Sequence, residues 1–273
     1  MAYSASFEFG VANLGVQEYT KSMHTLFLAS MVFGFGYLLN AIYITVFYHR
    51  GLTHRSVILK PWVITWVGWT GSWVTGIDPK AWSCMHRLHH LHADTVEDPH
   101  SPLHQGVFGL MMGQLHSYNQ TLVRLIKGEK EVTALVSDIP FSVNILNRKR
   151  LWILPYLLQI GISVGVAFIF GNSLIGAAYF LGIMSHPIQG WLVNSLSHKY
   201  GYTNFKVEDN SKNNIWVALA VFGEGFQNNH HARPASAKFS VRPWEIDFGY
   251  SLCKVGKALG LLRFELPPQR VMH

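Results

Sequence analysis

The chain is poor in charge. Only 14% of its 273 residues are Asp, Glu, Lys or Arg, against about 25% in an ordinary soluble domain. With 49% hydrophobic residues, a fully water-facing surface would be hard to solvate, so a lipid-facing surface is expected. Cysteine is nearly absent. Cys84 and Cys253 form no Cys-x-x-Cys pair, which excludes a cysteine-built iron–sulfur cluster or zinc knuckle and leaves two structural thiols as the simplest expectation. The first residues lack a positive segment followed by an apolar one, so no cleaved signal is expected. No lipidation motif, tandem repeat or low-complexity tract is present either.

Histidine stands out against these scarcities: 15 residues, as many as Asp and Glu together. Neutral imidazole is a common transition-metal ligand, so metal or proton chemistry is expected. The formal net charge of +7 need not mean nucleic acid. Residues 1–48 contain one basic residue, Lys21, whereas Arg50 to Arg150 contains eleven. Basic residues bordering apolar stretches fit the positive-inside rule, and no nucleic-acid partner is expected.

Residues 24–48 carry no charge over 25 positions, and about 20 apolar residues cross a bilayer core. A transmembrane helix is predicted there, with its C-terminal end cytoplasmic. Residues 59–77 are shorter, and histidine blocks flank them on both sides, which predicts a re-entrant or interfacial helix. Trp62, Trp66, Trp69 and Trp73 fall on one face of that helix. Two roles fit the stripe: packing or an aromatic belt, or one wall of an acyl-chain tunnel. Residues 151–170 and 173–197 are two further apolar stretches joined at Gly171-Asn172, predicting an antiparallel hairpin. The prediction is therefore an all-α integral membrane protein, one domain over 1–273, with three to four transmembrane helices. A helical cytoplasmic cap would occupy 80–150 and 199–265, and the N-terminus would lie outside the cytoplasm.

Three histidine blocks then fall on one membrane side. The first holds His49 and His54, the second His86, His89 and His90, the third Gln227-Asn228-Asn229-His230-His231. On an α-helix His86, His89 and His90 share a face. His49 and His54 would point roughly 140° apart on a straight α-helix, so they converge only where the helix ends and bends, for which Gly51 offers freedom. Adjacent histidines such as His230 and His231 can reach two neighbouring metals from one turn. Asn194 and His198 form a further i, i+4 pair at the end of the last apolar stretch.

These blocks, with Asp98-Pro99-His100-Ser101-Pro102, Trp191 to His198, Gly223-Glu224-Gly225-Phe226 and Trp244-Glu245-Ile246-Asp247, resemble the membrane-bound fatty acid desaturase family. The likeness is to its acyl-CoA Δ9 (stearoyl-CoA desaturase-like) branch, in a bacterial form, and covers roughly residues 24–265. The resemblance implies a di-iron centre held by His49, His54, His86, His89, His90, His198, His230 and His231, with Asn194 holding an iron-bound water. It implies O2-dependent conversion of a saturated acyl chain to a cis-monoene. The family has a ninth histidine where this chain has Gln227. Three readings of Gln227 stay open: a weak ligand, a holder of water, or a gap filled by another histidine such as His186 or His100. His24, His92, His104, His116 and His273 are expected at surfaces or interfaces.

A di-iron hydroxylase of lipids is the alternative enzyme, and a metal transporter or sensor the non-enzymatic one. Transport would place ionisable groups near mid-bilayer, where only His186, beside Pro187, intrudes. The partners expected are a fatty acyl thioester or acyl lipid, the bilayer, and a separate ferredoxin- or cytochrome b5-type electron donor. A bacterial cytoplasmic membrane with the centre facing the cytoplasm is the expected location.

Overall fold

A computed structural model describes residues 2–264, with side chains from Glu18 onward; His273 and the last residue of the expected cap, at 265, lie outside that range. Helix α1 (Ala2–Ala41) runs without a break into a π-helix, Ile42–Thr53. Strand β1 (Val57–Leu59), α2 (Pro61–Thr75), α3 (Pro79–His92) and α4 (Pro102–Lys127) follow, then the short α5 (Lys130–Leu135) and α6 (Ile145–Arg148). The hairpin is α7 (Leu154–Phe170) and α8 (Ser173–Ile183). After it come α9 (His186–Trp191), a second π-helical turn at Leu192–Leu196, α10 (Ile215–Ala220), α11 (Gln227–Ala232), α12 (Phe248–Ala258) and β2 (Leu262–Phe264).

The protein is mostly helical, with one addition that apolar patterning missed. β1 and β2 pair antiparallel, Val57 opposite Phe264 and Leu59 opposite Leu262. Three-residue strands are too short to announce themselves by alternation.

Among the described residues, one helix is long and apolar enough to cross a membrane: Glu18–Thr53, 36 residues. It extends past the predicted 24–48, because the π-helix carries it through His49 and Arg50. The hairpin helices are shorter. Gly171 closes α7 in the left-handed region (φ 59°), and the Asn172 side chain accepts from the Leu174 N–H at 2.9 Å to start α8. The predicted continuous segment 173–197 is broken: α8 ends at Ile183, and α9 starts with proline in its first turn. Pro187 has no N–H to continue the α8 ladder.

α1 and α8 pack closely where both chains carry glycine. A Cβ on Gly36 would lie 2.9 Å from the Tyr179 carbonyl and the Ile183 nitrogen. Outward from this contact the helices show large apolar side chains to the surroundings, including Phe27, Met31 and Phe35 on α1 and Phe168 and Ile169 on α7. The principal core forms around the π-helix, where Tyr43, Phe47, Tyr48 and Leu52 meet Val63 and Val67 of α2. Cys84 and Cys253 sit in this core as free thiols. Burial pushes both up to about 11, so neither is a thiolate near neutral pH.

Candidate metal centre

The first π-helix decides how the centre begins. Its hydrogen bonds run i→i+5, and the His54 N–H donates to the His49 carbonyl at 3.0 Å. Residues five apart therefore overlie one another, and the His49 and His54 rings meet with centroids 4.9 Å apart. The expected bend at Gly51 is not what brings them together. Gly51 is needed for a close approach, since a Cβ there would lie 2.6 Å from Leu59 Cδ1.

α3 brings three more histidines. Asp78 caps it, its carboxylate accepting from the Lys80 and Ala81 N–H groups at 3.0 Å, and Pro79 occupies the first turn. The histidines of α3 then divide. His86 and His90 join His49, His54 and His230 in a first group, site I. His89 joins His198 and His231 in a second, site II. Within each group the ligating atoms lie within 4.8 Å of one another. The adjacent pair on α11 is thus split, His230 to site I and His231 to site II.

The donor geometry fits metal ions. In site I the Nε2 atoms of His49 and His230 are 3.0 Å apart, those of His90 and His230 3.0 Å, and those of His86 and His90 3.1 Å. Nitrogens bound ~2.1 Å from one metal at right angles lie ~3.0 Å apart. In site II each ring is held at its other nitrogen by a carboxylate: His89 Nδ1 by Asp98 at 2.9 Å, His198 Nδ1 by Asp94 at 3.1 Å, His231 Nδ1 by Asp209 at 2.7 Å. These partners assign the Nδ1–H tautomer, so each Nε2 carries a lone pair. All three Nε2 atoms are buried and without a partner. Three converging lone pairs in a dry pocket are costly unless a cation receives them. Glu224 does the same at site I, accepting from His49 Nδ1 at 2.6 Å. Carboxylates behind metal-binding histidines fix ring orientation and raise ligand basicity.

The electrostatics keep the imidazoles ready for metal. Burial, reinforced by neighbouring imidazoles, holds His54, His86, His90 and His230 well below the usual histidine range. Burial also lowers His231, which its bond to Asp209 partly offsets, to about 4. Burial opposes ionisation of Asp94, but the hydrogen bond from and the charge of His198, with hydrogen bonds from the Asn210 N–H and Ser101, together outweigh it and bring the carboxyl down to about 2.

Behind site I sits a buried ion network. Arg50 is fully buried, with Nη1 on Glu224 at 2.5 Å, Nη2 on Asp247 at 3.2 Å and Nε on the Ala237 carbonyl at 3.0 Å. Its guanidinium lies 3.8 Å over the Phe239 ring. Arg50 therefore ties Glu224, and through it His49, to α12.

An apolar cavity opens beside the centre. Ile44, Met85, Leu115, Val193 and Val221 line it along with His49, His86 and His100. No lysine or arginine is among the lining residues. Asn194 and Gln227 both face it. Each stands four residues before a site II histidine, His198 and His231 respectively. The Gln227 amide nitrogen donates to the Glu224 carbonyl at 2.8 Å, which leaves its oxygen buried and unpartnered. The four tryptophans of α2 do not reach the cavity. Trp62, Trp66 and Trp69 are 58%, 56% and 76% exposed, because α2 turns Val63 and Val67 toward the core instead. Trp82 on α3 lines the cavity, stacked on His86 at 5.1 Å. Its i, i+4 spacing to His86 was the available signal. His24, His104 and His116 are exposed, and His92 pairs with Glu97 at 3.0 Å.

Helices that gather two groups of imidazoles, four of them carboxylate-backed, beside an apolar cavity that His49 and His86 line define a metal-competent, histidine-built centre. Residues 24–247 match the fatty acid desaturase profile, and the chain belongs to that family of oxidoreductases. It is 32% identical over 89% of its length to a probable chloroplast lipid desaturase of Arabidopsis thaliana, of which it spans 65%. It is 31% identical over 80% of its length to an sn-1 stearoyl-lipid 9-desaturase of Anabaena variabilis, spanning 76% of that protein. A third relative is the palmitoyl-monogalactosyldiacylglycerol delta-7 desaturase of Arabidopsis thaliana chloroplasts, 30% identical over 93% of the chain and spanned to 69%.

Proposed function

We propose that this chain introduces a cis double bond into a saturated acyl chain of a membrane lipid, at a di-iron centre, using O2 and two electrons from a separate donor. The observation that carries this reading is the pair of imidazole groups, with lone pairs unmatched at site II and with His49 and His86 of site I lining an apolar cavity. His49, His54, His86, His90 and His230 would hold one iron, and His89, His198 and His231 the other. Asn194 would hold a water on the second iron, and the Gln227 oxygen would hold a water or bind weakly. The iron pair would supply the oxidation of an unactivated C–H bond, which no side-chain base performs.

The protein's own residues do the rest. Apolar side chains such as Leu115 and Val193 receive the chain and exclude water. Trp82, fixed by stacking on His86, sets the depth at which the chain passes the imidazoles, so the choice of carbon is geometric. Overall, two hydrogens leave adjacent carbons, and O2 with two electrons and two protons becomes two waters.

An intact acyl lipid is favoured over a CoA thioester. Several relatives are named as lipid desaturases, and the cavity lining offers no cation to a nucleotide's phosphates. Glu18–Thr53 would cross the bacterial cytoplasmic membrane, with the α7–α8 hairpin and the segment through Leu196 completing three crossings and α2 lying at the interface. The centre would then face the cytoplasm, where a soluble donor reaches it. Expression in a desaturase-null bacterial host tests the activity. New monoenes without hydroxy acids in the extracted glycerolipids support the reading. Hydroxy acids without monoenes would establish the lipid hydroxylase instead.

A further inference from the structure

His100 is buried to 1% exposure, and neither of its ring nitrogens has a hydrogen-bond partner. Among the described residues it is the one histidine buried with both nitrogens unpartnered. Unmade bonds of this kind are costly in a dry interior, and buried polar groups left so call for a ligand or another reason.

Its surroundings indicate which ligand. The His100 backbone N–H donates to Asp98 Oδ1 at 2.9 Å, the same carboxylate that orients His89. Its ring stacks on His89 with centroids 4.4 Å apart. The ligating atoms of His89, Asp98 and His100 fall within 4.8 Å of one another. His100 also lines the cavity that Asn194 and Gln227 face. His186 lines it as well but joins no cluster with a ligand histidine, whereas His100 clusters with His89 and Asp98, beside the group of His89, His198 and His231. The two sites are meanwhile unequal, with five imidazoles at site I and three at site II. The residue one turn before His231 offers an amide oxygen where an imidazole would balance them.

We propose that His100 is the fourth imidazole of site II, its neutral ring nitrogen taking the place that Gln227 leaves short of nitrogen. This rests on the di-iron reading above. Gln227 then serves the centre through water.

The test is the iron content of full-length protein purified in detergent, with the rate at which a chelator removes each iron. His100→Phe keeps a ring to stack on His89 but removes both nitrogens. The expected result is loss of one iron per chain, or its release at least ~10-fold faster, with the other iron unchanged. His100→Phe combined with Gln227→His should regain the lost iron, which a structural role for His100 would not allow. Gln227→Ala alone should keep both irons. If His100→Phe holds two irons that leave at wild-type rates, the inference is overturned. It is likewise overturned if Gln227→Ala loses an iron that His100→Phe keeps, or if the double variant fails to recover it. For a His100→Phe chain that does not fold, Gln227→His alone decides. The Mössbauer spectrum of the 57Fe-loaded protein should keep its wild-type quadrupole splittings if His100 already fills the position. A new splitting at one iron would overturn the inference. Wild-type protein holding fewer than two irons would overturn the di-iron reading itself, an outcome distinct from all of these.

Discussion

The eight imidazoles of the two groups were legible as residues, because histidine blocks at the ends of apolar stretches are rare and specific. The carboxylates that aim them were not. Asp94 lies 104 positions from His198 and Asp209 lies 22 from His231, so only the folded chain joins them. Asp209→Asn removes the acceptor that fixes the His231 tautomer. It should weaken metal binding at site II by ~10–100-fold and spare site I, as measured by competition with a graded series of chelators. Arg50 was visible as part of a motif, but its burial was not. Arg50→Met leaves Glu224 and Asp247 buried without their cation. Removing one partner of such a network costs ~3–5 kcal/mol, so thermal unfolding in detergent should shift markedly downward. An unchanged midpoint would show that Glu224 and Asp247 find other partners.

At the scale of elements, periodicity located the helices but not their type. A 3.6-residue repeat puts His49 and His54 on different faces. The i→i+5 winding of the π-helix brings them together without a bend, and no sequence pattern distinguishes a π-helix from an α-helix. The tryptophan stripe on α2 shows the complementary difficulty. Spacing put four indoles on one helical face but could not say which way the face points, and the structure turns Trp62, Trp66 and Trp69 outward and leaves Trp73 half-buried. Cavity shape should therefore respond to α3. Trp82→Ala should broaden the chain lengths or double-bond positions of the product, while Trp69→Ala leaves the profile as in wild type. Fatty acid methyl ester analysis by gas chromatography reads both. The opposite pattern would return the tunnel wall to α2.

For the molecule as a whole, composition announced lipid contact and histidine chemistry, but the number of crossings depended on helix continuity. The apolar stretch 173–197 reads as unbroken by hydropathy, and Pro187 interrupts it. The imidazole groups also set the pH behaviour of the fold. Unfolded, these histidines take up protons near pH 6.5. Folded and metal-free, His54, His86, His90 and His230 stay neutral well below that value, and His231 down to about 4. The unfolded chain then binds more protons between the two values, so the metal-free protein loses stability as pH falls from about 6.5 toward about 4. Thermal unfolding of chelator-treated protein at pH 7.5, 6 and 5 should give a falling series; a rising one would contradict the neutral, buried state of the imidazoles.

The most direct measurement of the central claim is turnover by the purified, iron-loaded protein in lipid nanodiscs. A stearoyl glycerolipid or stearoyl-CoA would be offered with O2 and a reduced ferredoxin, and the acyl products analysed by mass spectrometry. The expected result is a cis-monoene in the glycerolipid, none from the CoA thioester, and less after Asp209→Asn weakens metal binding at site II. Hydroxylated acyl chains, or no product from protein that holds two irons, would contradict it.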